Sequence, residues 1–209
     1  MQKSVLHNTI IKLGIPVALS IILLMSCKDE TKKASEINGK QLKSIQSNVI
    51  LTEDGQEVTL NEDSISKIFY LVRHAEKDTS IKIDPLLTKE GLARATKIAD
   101  VMRGTRVDAI YSTMTLRAMF TVDSLADIKV MNILPYDNKG LKDIIEKVKT
   151  STEHNRIFMV GHSNTIPAIT NSLAGRDIFT KTFDESDYGN FVIVVIKKSG
   201  LSDVYTLRY

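Results

Sequence analysis

Four side chains in this sequence have the types and the order that phosphoryl chemistry requires. Arg73 and His74 are adjacent, and Arg117 and His162 follow at wide spacing along the chain. Guanidinium groups bind phosphate through parallel hydrogen bonds, and a neutral imidazole can attack phosphorus and carry the phosphoryl group. Because like charges gathered in one place destabilise a fold unless an anion joins them, such a cluster would indicate a phosphate site.

Three of these four side chains directly follow predicted strands, so the fold would bring the cluster together. The apolar run Ile68–Val72 leads into Arg73 and His74, and the run 156–160 leads into Gly161 and His162. Further strands are predicted at 108–111 and 130–134, helices at 88–103, 113–126, 141–149 and 165–174, and a closing hairpin at 191–197 and 204–207.

This alternation predicts an α/β fold, with a mostly parallel central sheet flanked by helices on both faces of a single domain. Ligands bind outside the carboxyl ends of the strands in such sheets. We therefore expect the two arginines and two histidines to meet at one rim of the sheet.

Four sequence motifs resemble, in the same order, those of the histidine phosphatase (phosphoglycerate mutase-like) superfamily. They read LVRHAEK at 71–77, DPLLTKEG at 84–91, IYSTMTLRA at 110–118 and VGHSN at 160–164, within a match of about 66–198. The resemblance is to the small members without a cap. It implies that His74 is the nucleophile and that Arg73, Arg117 and His162 form the phosphate pocket.

The proton donor for the leaving group is not evident in these motifs. The second histidine is followed by Ser163 rather than by an acid, and the segment between the second arginine and the second histidine is short. Asp137 follows the third predicted strand and is the candidate acid, with Glu76 and Asp84 as rivals. Glu76 is also a candidate substrate-binding residue at the pocket rim, although a surface ion pair is the alternative.

Several other classes of site are disfavoured. Zinc requires three or four nitrogen, sulfur or carboxylate ligands, and adjacent arginines would repel the cation, so we expect neither a metal nor an organic cofactor. A net charge of +3 over 209 residues does not provide the dense basic face of a nucleic-acid binder. The expected partner is instead a phosphorylated small molecule or a phosphoprotein.

The beginning of the chain resembles a bacterial lipoprotein signal. Residues 1–27 contain two lysines, an apolar run at 13–25 that is too short to span a bilayer, and the single cysteine, Cys27. We expect lipid on Cys27 to anchor the protein outside the cytoplasm, at the periplasmic face or the cell surface; a buried helix or an uncleaved anchor is the alternative. Residues 28–47 are predicted to be a polar linker, and 48–209 the α/β domain.

The sequence therefore favours a phosphohydrolase that passes a phosphoryl group through a phosphohistidine to water. A surface lipoprotein that binds a phosphorylated ligand without turnover is the main alternative, because the acid is not evident. A phosphomutase is a third possibility, which the short segment between the second arginine and the second histidine disfavours.

Overall fold

The computed structural model describes residues 36–209. The predicted signal segment and Cys27 lie outside these residues. Within the described part of the chain, no helix combines the length and the apolar character needed to cross a membrane.

Helices and strands alternate through most of the described chain, as predicted. The strands are β1 (Leu42–Gln46), β2 (Val49–Thr52), β3 (Glu57–Thr59), β4 (Ile65–Arg73), β5 (Ala109–Thr113), β6 (Ile133–Tyr136), β7 (Arg156–Gly161), β8 (Asn190–Lys197) and β9 (Ser202–Arg208), and the helices are α1 (Lys89–Met102), α2 (Leu116–Lys129), α3 (Leu141–Thr150) and α4 (Thr165–Ala174).

Six of these strands form the central sheet, in the order β6-β5-β7-β4-β8-β9. The strands β6, β5, β7 and β4 run parallel. Strand β8 is antiparallel to β4, and β9, at the edge of the sheet, is antiparallel to β8. The run from Ile68 to Val72 is wholly buried because both faces of β4 are covered. The mostly parallel α/β fold is confirmed.

Helices cover both faces of the sheet. Apolar residues of α1 and α2 pack in one core cluster with Tyr70 and Val72, while those of α3 and α4 pack in another with Phe69 and Leu71. Neighbouring residues of β4 thus point to opposite faces, as strand geometry requires. The carboxyl ends of the four parallel strands lie together at one rim of the sheet.

Two boundaries differ from the sequence prediction. The third strand of the α/β pattern was predicted at 130–134, but Val130 has a left-handed backbone (φ 53°) that ends α2, and β6 begins only at Ile133. The helix predicted at 113–126 begins at Leu116 because Thr113 still belongs to β5.

The predicted linker at 28–47 is wrong over its second half. Strand β1 lies within it and pairs with β2 in a separate three-stranded sheet. Ile37, Leu42 and Ile45 are buried in the same core cluster as α1. Too few apolar residues occur among the polar ones for a periodic pattern to be visible, yet each of these three contributes to the core.

Candidate active site

The four residues predicted from the sequence are positioned at the carboxyl ends of the parallel strands. Arg73 is the last residue of β4 and pairs in register with Gly161, the last residue of β7. The next residue on each strand is therefore a histidine, and the rings of His74 and His162 lie 5.3 Å apart between centroids. Arg117, in the first turn of α2, completes the group, and its charge acts on both histidines.

His74 is buried, with 3% of its surface exposed. Its Nδ1 lies 2.9 Å from the carbonyl oxygen of Ala75. A carbonyl oxygen can only accept a hydrogen bond, so this contact requires the proton on Nδ1 and leaves the lone pair on Nε2.

The surroundings of His74 keep its imidazole neutral. Burial lowers the pKa to about 3, and the charges of Arg73, His162 and Arg117 act in the same direction, against the opposing hydrogen bond to Ala75. At neutral pH the ring is uncharged, which is the form that can act as a nucleophile.

His162 is held in a comparable environment. Its Nε2 lies 3.1 Å from Oγ1 of Thr113, at the end of β5. Burial lowers its pKa to about 4, and the charges of Arg117 and Arg73 add to the effect while Glu185 opposes it. Burial and the neighbouring positive charges therefore keep both imidazoles in their neutral form.

Arg73 is fully buried, and its guanidinium is only partly engaged. Its Nη1 donates to the carbonyl oxygens of Asp184 at 2.7 Å and Asp187 at 3.2 Å, and Nη2 donates to Oε2 of Glu185 at 2.6 Å. The guanidinium also lies over the ring of Tyr188, 4.3 Å from its centroid. Its Nε is buried and has no hydrogen-bond partner among the described residues.

Arg117, in the first turn of α2, also has a guanidinium that is only partly engaged. Its Nε is likewise buried without a partner in the described part of the chain. An unpaired buried donor on a charged group costs free energy. Two such Nε donors, beside two histidines whose pKa values are lowered, favour an anion as the missing partner. A phosphoryl group offers the several oxygens that two guanidinium groups can bind.

The carboxylates proposed from the sequence have other contacts. Glu76 is held by Arg94, whose Nε lies 2.9 Å from both carboxylate oxygens and whose Nη2 lies 2.7 Å from one. Arg94 also donates to the carbonyl oxygen of Tyr209 at 2.6 Å. The carboxylate of Glu76 is thus paired with Arg94 near the end of the chain, and its role at the pocket rim stays a prediction.

Asp84 contributes to the site indirectly. Its two carboxylate oxygens accept from the backbone N–H of Leu116 at 2.9 and 3.2 Å, and one lies 3.5 Å from Nη1 of Arg117. The residue thus caps α2, whose own N-cap position, Thr115, makes no side-chain cap. Asp84 orients Arg117 rather than presenting a free acid.

Asp137 is exposed at the rim of an adjoining cavity. Its Oδ1 accepts from the backbone N–H of Lys139 at 2.9 Å and caps the short turn that follows. The cavity has a volume of about 480 Å³ and is also lined by Thr113, the partner of His162. Asp137 therefore lies near the site, but its carboxylate caps a turn.

Sequence reasoning missed the segment 183–188, which passes over Arg73. It supplies the carbonyl oxygens that hold Arg73, the ring of Tyr188 and the carboxylate of Glu185. No sequence motif marks these residues, because they follow the last helix in a polar stretch. They reach the site only through the tertiary fold.

The described residues contain no group of three or more His, Cys, Asp or Glu side chains arranged to hold a metal ion. The site is instead dominated by guanidinium donors and neutral imidazoles. Such a set suits an oxyanion.

Comparison with known proteins adds a family match. Residues 69–137 match the histidine phosphatase superfamily (branch 1), a stretch that includes Arg73, His74 and Arg117. No curated protein sequence matches the chain significantly.

Solved structures share the fold over about two thirds of the chain. A protein described as a candidate phosphohistidine phosphatase SixA from Agrobacterium tumefaciens has a TM-score of 0.54 and 23% identity, covering 69% of this chain and 99% of that chain. The protein histidine phosphatase SixA complexed with tungstate has a TM-score of 0.55 and 14% identity, covering 68% and 96%. Phosphoserine phosphatase from Entamoeba histolytica, in complex with 3-phosphoglyceric acid, has a TM-score of 0.53 and 15% identity, covering 68% and 97%.

At these identities the structural similarity establishes the fold, while the motif residues come from the sequence match. Residues 69–137 are therefore similar to the histidine phosphatase superfamily (branch 1), and the solved structures show that the chain shares the fold of the phosphatases named above.

Proposed function

We propose that this protein is a phosphohydrolase that takes a phosphoryl group from a phosphomonoester or a phosphoprotein onto His74 and passes it to water. One observation carries the proposal. The lone pair on Nε2 of His74 lies in a buried site beside two arginines, and the Nε of each arginine has no partner within residues 36–209. The superfamily match and the fold support the same reaction class.

In the first step, Nε2 of His74 attacks phosphorus while the bond from phosphorus to the leaving oxygen breaks. The hydrogen bond from Nδ1 to Ala75 stabilises the positive charge that develops on the ring. In the second step, a water oxygen attacks phosphorus and the bond from phosphorus to nitrogen breaks, so phosphate leaves and the neutral imidazole is restored.

The remaining charged groups of the site have a stabilising role in both steps. The free Nε donors of Arg73 and Arg117 would bind the equatorial oxygens, where negative charge is concentrated. His162 would add a third donor after taking up a proton or by presenting its N–H, because its low pKa reflects the surplus of positive charge that an anion would relieve.

The mouth of the site supports a substrate with a sizeable body. The adjoining cavity is open, and the side chain of Met114 in its wall is 67% exposed. This open space beside the site leaves room for a phosphorylated small molecule or for a phosphorylated segment of a protein.

The anchoring of the protein is a separate proposal. We propose that lipid on Cys27 holds the chain outside the cytoplasm, on the support of the sequence of residues 1–27 alone. Metabolic labelling with a radioactive fatty acid tests it: the wild-type protein should be labelled, and Cys27→Ser should not. Equal labelling of both would contradict the proposal.

The catalytic proposal is tested with p-nitrophenyl phosphate in the presence of EDTA. We expect wild type and the matched control His154→Ala to release phosphate, and His74→Ala to lose at least about 10³-fold in kcat because it lacks the nucleophile. His154 is a suitable control because it lies away from the site, beside Lys67 at the other end of β4.

Turnover by His74→Ala at the wild-type rate would disprove the mechanism. If wild type binds inorganic phosphate, seen as a rise in Tm, yet turns over nothing, the protein is a phospho-ligand receptor instead. The two outcomes therefore separate the leading function from its main alternative.

A further inference from the structure

The carboxylate of Glu185 connects the two halves of the site. Its Oε2 accepts from Nη2 of Arg73 at 2.6 Å, and its Oε1 accepts from Oγ of Ser163. Ser163 directly follows His162, at the end of β7. A single carboxylate thus touches Arg73 at the end of β4 and Ser163 just after β7, and its charge acts on His162.

The backbone around Glu185 is held at several points. The N–H of Phe183 donates to the carbonyl oxygen of Ser163 at 2.9 Å, and the carbonyl oxygens of Asp184 and Asp187 bind Arg73. The carboxylate is therefore carried to the site by a segment that the site itself anchors, rather than by a freely moving loop.

Glu185 is also accessible, unlike the arginine that it contacts. Its side chain is 72% exposed and that of Arg73 is fully buried. A phosphoryl group bound at Nε of Arg73 would lie beside the Nη2 that holds Glu185, on the buried side. With its carboxylate beside the bound phosphoryl group and facing solvent, we expect Glu185 to reach a leaving oxygen on that side.

The rival carboxylates are occupied in a different way. Glu76 is bound by Arg94, Asp84 caps α2, and Asp137 caps the turn after β6. Glu185 is bound through one hydrogen bond on each oxygen, and both of its donors belong to the site itself. It can exchange these contacts for a substrate without unfolding a helix end.

We propose that Glu185 is the catalytic acid of this site, which donates a proton to the leaving oxygen of the substrate. This inference rests on the proposed phosphohydrolase function. As the bond from phosphorus to the leaving oxygen breaks and the bond to Nε2 of His74 forms, the carboxyl proton moves to that oxygen and an alcohol departs. The carboxylate then accepts a proton from the water that attacks phosphorus, which restores the acid.

The charge balance of the site explains how Glu185 is protonated when needed. In the free protein the hydrogen bond from Ser163 lowers its pKa, burial opposes this, and the charges of Arg73 and Lys77 lower it further. A bound phosphoryl dianion neutralises those cations and repels the carboxylate, and both effects raise its pKa. Substrate binding therefore favours the protonated acid.

The experiment compares leaving groups in single turnovers, with enzyme in excess, for wild type and Glu185→Gln. An alkyl phosphate such as glycerol phosphate needs a proton donor, whereas p-nitrophenol leaves readily as an anion. We expect Glu185→Gln to slow release from the alkyl phosphate by about 10²–10⁴-fold. We expect the loss on p-nitrophenyl phosphate to be at least tenfold smaller. Glu146→Gln, on the surface of α3, is the matched control and should behave as wild type on both substrates.

Any other outcome would overturn the assignment of Glu185 as the catalytic acid. Equal losses on the two substrates would mean that Glu185 only positions Arg73, and no loss would mean that it has no part in the reaction. A loss confined to the alkyl phosphate in Asp137→Asn, but absent in Glu185→Gln, would identify Asp137 as the acid. In these three cases the wild type still turns over and His74→Ala does not, so the phosphohydrolase function stands. Failure of the wild type to release either leaving group would overturn both proposals.

Discussion

A buried cation lies near each end of strand β4, and the two differ in how completely their donors are hydrogen-bonded. At the amino end, Nζ of Lys67 donates to the carbonyl oxygens of Ser151 at 2.5 Å and His154 at 2.7 Å, and lies 3.3 Å from Oδ1 of Asn155. An ammonium group has three donors, and all three are used. At the carboxyl end, Arg73 is more deeply buried and keeps an Nε without a partner among the described residues.

The surroundings of the two ends differ in the same way. At the amino end, Oδ2 of Asp108 accepts from the backbone N–H groups of Asn155 and Arg156, at 2.8 and 2.9 Å. Nη1 of Arg156 has no partner among the described residues, but Nη2 is paired with Glu62. At the carboxyl end, two arginines and two histidines share the few carboxylates within reach.

The comparison indicates which end serves folding and which serves a ligand. Apart from Nη1 of Arg156, the charged groups at the amino end are paired with groups of the chain itself, so that end contributes stability. Charges at the carboxyl end are left for an anion, so that end gives up stability for binding, in line with the general position of ligand sites in such sheets.

The sharpest test exchanges each cation for a methionine of similar length. Arg73→Met should lower kcat/KM for p-nitrophenyl phosphate by about 10²–10³-fold, because it removes a donor to the transition-state oxygens. Its free energy of unfolding should fall by less than that of Lys67→Met, because the removal of a positive charge from a crowded site offsets the lost hydrogen bonds to Asp184, Asp187 and Glu185. Enzyme kinetics and urea denaturation measure the two quantities.

Lys67→Met should show the reverse pattern. Three oxygens lose their donor, so the free energy of unfolding should fall by about 1–3 kcal/mol, while kcat/KM of the folded protein changes little. If Arg73→Met proved the more destabilising of the two, with activity retained, the assignment of the two ends would be wrong.

Acidification should lower the free energy of unfolding through the two histidines at the carboxyl end. The pKa values of His74 and His162 are lowered from 6.5 to about 3 and about 4, so the unfolded chain binds more protons than the folded chain in this window. The contribution of each histidine to stability is therefore complete above pH 6.5 and is lost as the pH falls below it. The expected slope is up to about 1.4 kcal/mol per pH unit for each histidine.

Denaturation between pH 7 and pH 5 measures this slope, above the range in which carboxylates titrate. His162→Gln should reduce it by about half, because one of the two groups no longer takes up a proton on unfolding. A slope that is the same in the variant and in wild type would show that His162 is not the source.

The smallest expected effect is that of Glu76→Gln. This variant tests whether a carboxylate near the carboxyl end of β4 has a structural or a catalytic role. Glu76→Gln weakens the pairing with Arg94 and should lower the free energy of unfolding by about 1–2 kcal/mol. Because its contacts lead to the end of the chain and not to the four site residues, kcat/KM should change by less than about threefold. A large loss of kcat/KM without a loss of stability would instead support the predicted role of Glu76 at the pocket rim.

Much of this arrangement was predictable because it depends on short distances along the chain. A continuous apolar run such as Ile68–Val72 indicates a strand covered on both faces, and residues directly after such strands must lie at the carboxyl rim. Arg73, His74 and His162 could be located in this way. The segment 42–46 could not, since its buried residues are too few to form a pattern that distinguishes a strand from a linker.

The sequence by itself determined the order of the elements and the residue types that arrive at the rim, because each histidine is fixed at one residue beyond its strand. Only the tertiary structure decided the state of those residues and their partners. The proton on Nδ1 of His74 depends on a carbonyl oxygen at 2.9 Å, and its low pKa on burial. Glu185 meets Arg73 across 112 positions of sequence, and a contact between such distant residues follows from packing, which no local pattern encodes.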